Sequence, residues 1–308
     1  MKLTVSSAPH ITGKDTTASL MRDVIIATVP AMIASVLFFG IRALILTAVT
    51  VAACVGFEFL WEKMMKKPST IGDLSAVVTG ILLAFNFPAS LPLPMAILGA
   101  AIAIIVVKQL FGGIGFNFAN PAIVARIVLG LSFTSYMTAW IFPDATATAT
   151  PLALYANGTG TAPAVMDMFL GRTGGTLGET SALALIIGFV YLVAKKVISP
   201  IIPVTYVATV AVFAMLLGVD PVVYVLGGGL LLGAIFMATD YVTSPYTRKG
   251  KIIFGIGLGI ITVMIRRFGT MTEGVSYAIL LMNLVVPYIN KLSRQKPLGA
   301  PKKVKEAK

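Results

Sequence analysis

Ten apolar runs, each cut off by proline, glycine or charge, follow one another along the 308 residues, and this punctuation constrains the fold more than any single motif. They lie at 24–40, 43–61, 74–86, 94–111, 120–141, 181–194, 201–218, 221–239, 252–265 and 274–290. A bilayer core of roughly 30 Å is crossed by about 20 apolar residues in helical form, and a helix satisfies its own backbone where water is absent. The runs therefore predict an all-α integral membrane protein of about ten transmembrane helices. With 57% of residues hydrophobic, 12% charged and a mean hydropathy of +0.93, little chain is left for a separate soluble domain. Several runs are short, and the third ends in Phe85-Asn86-Phe87-Pro88, where a lipid-facing helix would continue. Such a break persists at membrane depth only where protein or a wet cavity covers the freed backbone groups.

The charges assign the ends. A net charge of +12 comes from 24 Lys and Arg against 12 Asp and Glu. With the N-terminus inside, most cations fall on the cytoplasmic side of these runs; Arg42, Arg172, Arg266 and Arg267 fall outside, and Arg126 lies within the fifth run. The positive-inside rule then predicts both termini in the cytoplasm. Residues 1–22 form a polar segment without the early apolar core of a cleavable signal peptide. Residues 291–308 form a basic tail suited to anionic lipid headgroups. Orientation thus accounts for the basic excess, and no nucleic-acid partner is expected.

The two halves echo each other. Lys108-Gln109-Leu110-Phe111-Gly112 is matched by Arg266-Arg267-Phe268-Gly269 at a Phe-to-Phe offset of 157, and Gly80-Ile81-Leu82-Leu83-Ala84 by Gly233-Ala234-Ile235-Phe236-Met237 at 153. Half the chain is 154 residues. The expected organisation is a five-helix repeat over 23–141, an external loop over 142–180 and a second five-helix repeat over 181–290. An odd number of helices per half makes the halves inverted, as in transporters and channels that build a central pathway from broken helices.

Cys54 is the only cysteine and His10 the only histidine, so this chain has no ligand set for an iron–sulfur cluster, a haem or a zinc ion. Any redox centre must be organic or shared with a partner. The long loop contains Asp-Ala-Thr-Ala-Thr-Ala-Thr-Pro-Leu from Asp144 to Leu152, a composition that otherwise reads as a flexible linker. Asp144, Ala149, Thr150, Pro151 and Leu152 resemble the acceptor sequence of flavin transferases, which attach FMN through its phosphate to a threonine hydroxyl. Thr150 is the matching acceptor. Ala147 and Thr148 depart from the pattern, which usually has a hydroxyl residue and glycine there. A phosphoester puts the flavin on a flexible arm, so a loop at the membrane face can present it without metal ligands.

Three further segments, 112–122 (GGIGFNFANPA), 236–245 (FMATDYVTSP) and 273–287 (EGVSYAILLMNLVVP), appear with this loop in the order found in the D subunits of Rnf-type ion-translocating ferredoxin:NAD oxidoreductases. The chain resembles that family over nearly its whole length and, more distantly, the B subunit of the sodium-pumping NADH:quinone reductase. The resemblance implies a urea-channel-like inverted-repeat fold, covalent FMN on Thr150 and a second, noncovalent riboflavin. It also implies maturation by a flavin transferase, assembly with the Rnf A, B, C, E and G subunits, and electron transfer coupled to Na⁺ or H⁺ export. A solute channel or secondary transporter would use the same inverted repeat, but has no reason to carry a modified threonine.

Polar residues within the apolar runs are the remaining candidates, because they are expensive there. Asp240, in Thr239-Asp240-Tyr241-Val242-Thr243-Ser244-Pro245, would serve a cation pathway or a salt bridge to Arg248. Glu273 would join that pathway, cap the last helix or pair with Arg266 or Arg267. Asn86 is a further pathway candidate, and Asn117, Asn120 and Asn283 would line a flavin pocket or pathway or satisfy broken backbone. Arg126 would face a flavin or snorkel to an interface. Glu58 would sit at headgroup level beside Lys63 or serve an intramembrane function.

Overall fold

Capping residues set the helix starts as much as hydropathy does. The computed structural model describes residues 15–140, 164–269 and 274–294, together with Thr150, Leu152 and Tyr155; it is helical, with no strand among the described residues. Helix α1 (Thr17–Phe39) begins ahead of the apolar run at 24 because Thr16 and Ser19 form a reciprocal capping box, at 3.2 and 2.9 Å. Helices α2 (Ile41–Met64) and α3 (Ser75–Phe85) follow, then α4 (Leu93–Ala101), which widens into a π-helical stretch, Ile102–Gln109. Helix α5 (Pro121–Ser132) starts behind Asn120, whose Oδ1 accepts from the Ala122 and Ile123 N–H groups, with proline at the first position. It stops short of the expected 141, giving way at Phe133 to the short α6 (Thr134–Met137), where the Thr134 hydroxyl bonds Gly130 O.

After α7 (Val165–Leu170) come α8 (Ala182–Ala194) and α9 (Ile201–Leu216). The run at 221–239 is not one helix. It divides into α10 (Pro221–Leu226), a turn at Gly227-Gly228-Gly229, and α11 (Leu230–Leu232), which continues as a second π-helical stretch, Gly233–Met237. Gly228 and Gly229 take φ of +66° and +69°, a left-handed conformation in which glycine alone is unstrained. Helices α12 (Arg248–Phe268) and α13 (Val275–Ser293) complete the chain. By length and composition, α1, α2 and α13 can each cross a bilayer; α3, α4 with its π-helical extension, α5, α8 and α9 are apolar but shorter.

Helix α1 packs on α8, α5 on α13 and α9 on α12. The break at Phe85–Pro88 is covered by protein: Leu177 N and Gly178 N donate to Phe87 O and Phe85 O, each at 3.0 Å, and the Ser35 hydroxyl donates to Leu177 O. Thr176, Leu177 and Thr180 are buried, so this end of the expected external loop is a plug inside the helices. A Cβ on Gly178 would overlap Phe85, which is why glycine stands there. Helix-end contacts define two faces. Thr247 bonds Ser293 at 2.6 Å on one, which also holds the N-terminus of α1; Arg42 bonds Ala89 O at 2.8 Å on the other, which also holds the C-terminal end of α12.

Candidate functional site

Polar side chains gather at three places. The first is a cavity of about 250 Å³ opening near the N-termini of α1 and α3, walled by Leu20, Val24, Leu82 and Phe236, with Asn117, Asn120 and Asp240 among its polar lining. Asp240 follows the second π-helical stretch, where the chain has left helical geometry and side-chain bonds replace backbone ones. Its carboxylate accepts from the Thr243 hydroxyl at 3.1 Å and Val242 N at 3.3 Å, and from the Asn117 side chain. Among the described residues no ion pair joins it to Arg248, so the salt-bridge alternative is not met.

From the cavity a line of amides leads inward. Asn120 caps α5 and turns its Nδ2 to Met237 O at 3.4 Å, the carbonyl at the end of the second π-helical stretch. Asn283, with its amide oriented to satisfy its surroundings, accepts from Asn120 N and donates to Ile279 O and Thr243 O. Deeper, Asn86 accepts from Arg126 Nη1 at 2.7 Å and donates to Leu82 O. Asn86 and Arg126 therefore form a unit at the broken end of α3. Arg126 is buried and directed inward, not snorkelling.

The second place was not legible as a unit. Glu58 is fully buried and pairs with Lys108 at 2.7 Å; Gln109 Nε2 reaches the same oxygen at 2.8 Å, and Lys108 also bonds the Ser75 hydroxyl at 2.6 Å. The ion-pair partner of Glu58 is thus Lys108 and not Lys63. The π-helical stretch holds Lys108 and Gln109 together on the inward side, and the Thr70 hydroxyl links Glu58 to the buried Glu62. The available signal was Glu58 and Glu62 four residues apart in one apolar helix, a spacing that puts both on one face.

The third place lies at the opposite face. Thr150 is buried, 5% exposed, and Leu152 packs on the triple-glycine turn. Tyr155 stacks edge-on against Tyr224 at 6.4 Å and accepts from Asp220 N at 2.9 Å, docking this segment on α10. The buried Arg266, from the last turn of α12, donates to Tyr224 O, Gly227 O and Gly228 O. Asp144, Ala149, Pro151 and Glu273 lie outside the described residues. Helix α12 has 21 residues, about 30 Å. The cavity and Thr150 therefore stand near opposite ends of the helices.

These features define a helical membrane protein with separate polar sites toward its two faces. The profile of the NQR2, RnfD, RnfE family matches residues 4–299, and the chain belongs to that family. Its relatives include the D subunit of the Na(+)-translocating ferredoxin:NAD(+) oxidoreductase complex of Acetobacterium woodii, 49% identical over all of this chain and 99% of the relative. The D subunit of the proton-translocating ferredoxin:NAD(+) oxidoreductase complex of Clostridium ljungdahlii is 40% identical over 96% of each chain. The D subunit of the ion-translocating oxidoreductase complex of Methanosarcina acetivorans is 35% identical over 96% of this chain and 97% of its own.

Proposed function

We propose that this chain is the flavin-carrying membrane subunit of an ion-translocating ferredoxin:NAD oxidoreductase complex, with FMN joined to Thr150 through its phosphate. The observation that carries the reading is full-length similarity to proteins named as the D subunits of such complexes, with the acceptor sequence standing at Thr150. Bound flavin supplies one- and two-electron chemistry; the chain supplies position and electrostatics. Attachment requires a flavin dinucleotide and a transferase. The Thr150 oxygen forms a bond to the flavin-side phosphorus, the pyrophosphate P–O bond breaks, a nucleoside monophosphate leaves, and the hydroxyl proton passes to a base on the transferase.

The residues present suit these groups. At the Thr150 face Arg266 brings a guanidinium beside the glycine turn. The cavity at the other face combines apolar walls with Asn117, Asn120 and Asp240, a composition that fits the flat ring of a second, noncovalent riboflavin. Between the faces, Asn86, Arg126 and Asn120 hold the broken helices, and Asp240 would serve Na⁺ or H⁺. Packing of α1 on α8 and of α5 on α13 supports two inverted halves, since these pairs are equivalent under the half-chain offset. Ferredoxin oxidation and NAD reduction fall to the A, B, C, E and G partners.

Intact-protein mass spectrometry after coexpression with a flavin transferase tests the assignment. The wild type should gain one FMN, fluorescent on a denaturing gel. Thr150→Ala should lose it while still inserting, and Thr148→Ala should keep it. A wild type without FMN, or Thr150→Ala with it, refutes the reading.

A further inference from the structure

Most donors around the cavity are already committed. The Thr79 and Thr239 hydroxyls donate to carbonyls one turn back, at 2.9 and 2.6 Å, and the Tyr241 hydroxyl donates to Val197 O. Asn117 gives its amide N–H groups to Ala119 O and to Asp240. Lys108 differs. An ammonium carries three N–H groups, and among the described residues Lys108 donates to two acceptors, Glu58 Oε1 at 2.7 Å and the Ser75 hydroxyl at 2.6 Å. Lys108 and Ser75 both line the cavity, so their bond sets the buried ammonium at its wall. The third N–H has no acceptor among the described residues, and a buried donor without one is costly.

Backbone geometry puts the ammonium there. Lys108 stands in the π-helical stretch Ile102–Gln109, while the other such stretch, Gly233–Met237, supplies Ile235 and Phe236 to the same cavity and leads on to Asp240. Widened turns of this kind are rare and often accompany functional sites. Here one from each half of the chain meets the same cavity. The ion pair then holds Lys108 still: Glu58 is fully buried, and an ammonium that swung away would leave a carboxylate with neutral donors only. What Lys108 offers the cavity is therefore a fixed N–H and not a net charge, which Glu58 balances.

We propose that Lys108 donates this N–H to a carbonyl oxygen of the flat ring held in the cavity, and thereby fixes which end of the ring faces it. The proposal rests on the reading of the cavity as the place of a noncovalent riboflavin. An isoalloxazine ring has a polar pyrimidine end, with two carbonyl oxygens flanking an N–H, and an opposite end that carries methyl groups. The donor draws the pyrimidine end to Lys108 and leaves the methylated end to the apolar walls. Reduction adds electron density at the pyrimidine end, so a fixed donor there holds the reduced ring more tightly than the oxidised one. A lysine that only braced Glu58 would leave the potential of the ring unchanged.

The experiment compares wild type with the double variant Glu58→Gln, Lys108→Met, each purified in the assembled complex. The pair is neutral before and after the change, and methionine keeps most of the length of lysine, so a difference reports the lost donor. Titration of riboflavin into complex stripped of noncovalent flavin reads affinity, and difference spectroelectrochemistry of loaded against stripped complex reads the midpoint potential. The double variant should bind riboflavin about tenfold more weakly, roughly 1.4 kcal/mol. Its midpoint should fall by about 30 mV, a further tenfold against the reduced ring in a two-electron couple. If the double variant does not accumulate or does not load, the infrared difference spectrum of the wild type with and without riboflavin decides. A carbonyl band of the bound ring should then lie below its frequency in water, as a charge-assisted hydrogen bond requires. An affinity or a midpoint unchanged in the double variant, or carbonyl bands at their aqueous frequencies, would overturn the proposal while leaving riboflavin in the cavity. A wild type that binds no riboflavin would instead overturn the reading beneath it.

Discussion

Lys108→Met removes one half of a buried ion pair and leaves the other in place. In the native protein, Lys108 stands 2.7 Å from Glu58 and 2.6 Å from the Ser75 hydroxyl, and Glu58 Oε1 also accepts from Gln109 at 2.8 Å and from the Thr70 hydroxyl at 3.3 Å. The variant keeps a fully buried carboxylate with two neutral donors and no cation. Removing one partner of a buried pair costs roughly 3–5 kcal/mol, about two to three and a half powers of ten in the folded-to-unfolded ratio. Glu58→Gln with Lys108→Met removes both charges, and the amide oxygen introduced at that position can still accept from Gln109, so the double variant should recover most of the loss. The assay is equilibrium unfolding of the purified protein in mixed micelles, titrated with a denaturing detergent. A single variant as stable as wild type, or a double variant no better than the single, would refute the pairing as the source of stability.

Gly178→Ala should destabilise the protein by about 1–3 kcal/mol, because its Cβ overlaps Phe85 at the plug covering the broken third helix; an unchanged unfolding midpoint in the same assay would exclude the plug from the core. A cysteine placed at Asn157 in a Cys54→Ser background should react with an impermeant thiol reagent in intact cells. That outcome follows from the topology expected from the charge distribution, with the loop outside, and labelling only after lysis would reverse the orientation.

Hydropathy made the apolar helices legible because each run is bounded by residues that end helices for local reasons. Asn120-Pro121 announces the start of α5 and Asp220-Pro221 that of α10, where the Asp220 carboxylate accepts from Val222 N at 2.8 Å. The break at Asn86 to Pro88 was legible for the same reason. What covers it was not, since the Leu177–Phe87 and Gly178–Phe85 bonds join segments about ninety residues apart with no local signature. The triple glycine at 227–229 was visible, but apolar neighbours on both sides hid the division of the run. Glu58 and Lys108 were each read alone: fifty positions apart, they meet only because α4 widens into a π-helix and lies along α2. Thr150 was singled out by its local sequence alone, whereas Arg266 comes to lie beside the glycine turn and Leu152 only through tertiary packing.

The nature of the transported ion turns on groups that Na⁺ and H⁺ can both use. Relatives 49% and 40% identical to this chain are named for Na⁺ and for proton translocation respectively, so a common scaffold accommodates both. Asp240 has the chemistry for either. A carboxylate beside the Thr243 hydroxyl offers hard oxygen ligands to Na⁺, and the same carboxylate can take up a proton. Its place at the cavity wall, just past a π-helical stretch whose final carbonyl already binds Asn120, puts it where broken helices leave further oxygens within reach. Asp240→Asn removes the charge while retaining an oxygen that can accept from Thr243 and Val242. The expected result is normal covalent flavin and complex assembly, with ion transport into membrane vesicles lowered at least about tenfold, the value of one ionic interaction of roughly 1.4 kcal/mol. The Na⁺ concentration needed for ferredoxin-dependent NAD reduction should rise in parallel if Na⁺ is the ion, and should stay irrelevant if it is H⁺. Surviving complexes that pump at the wild-type rate with unchanged cation dependence would remove Asp240 from the pathway and leave it the local task of bonding the turn at Val242 and Thr243.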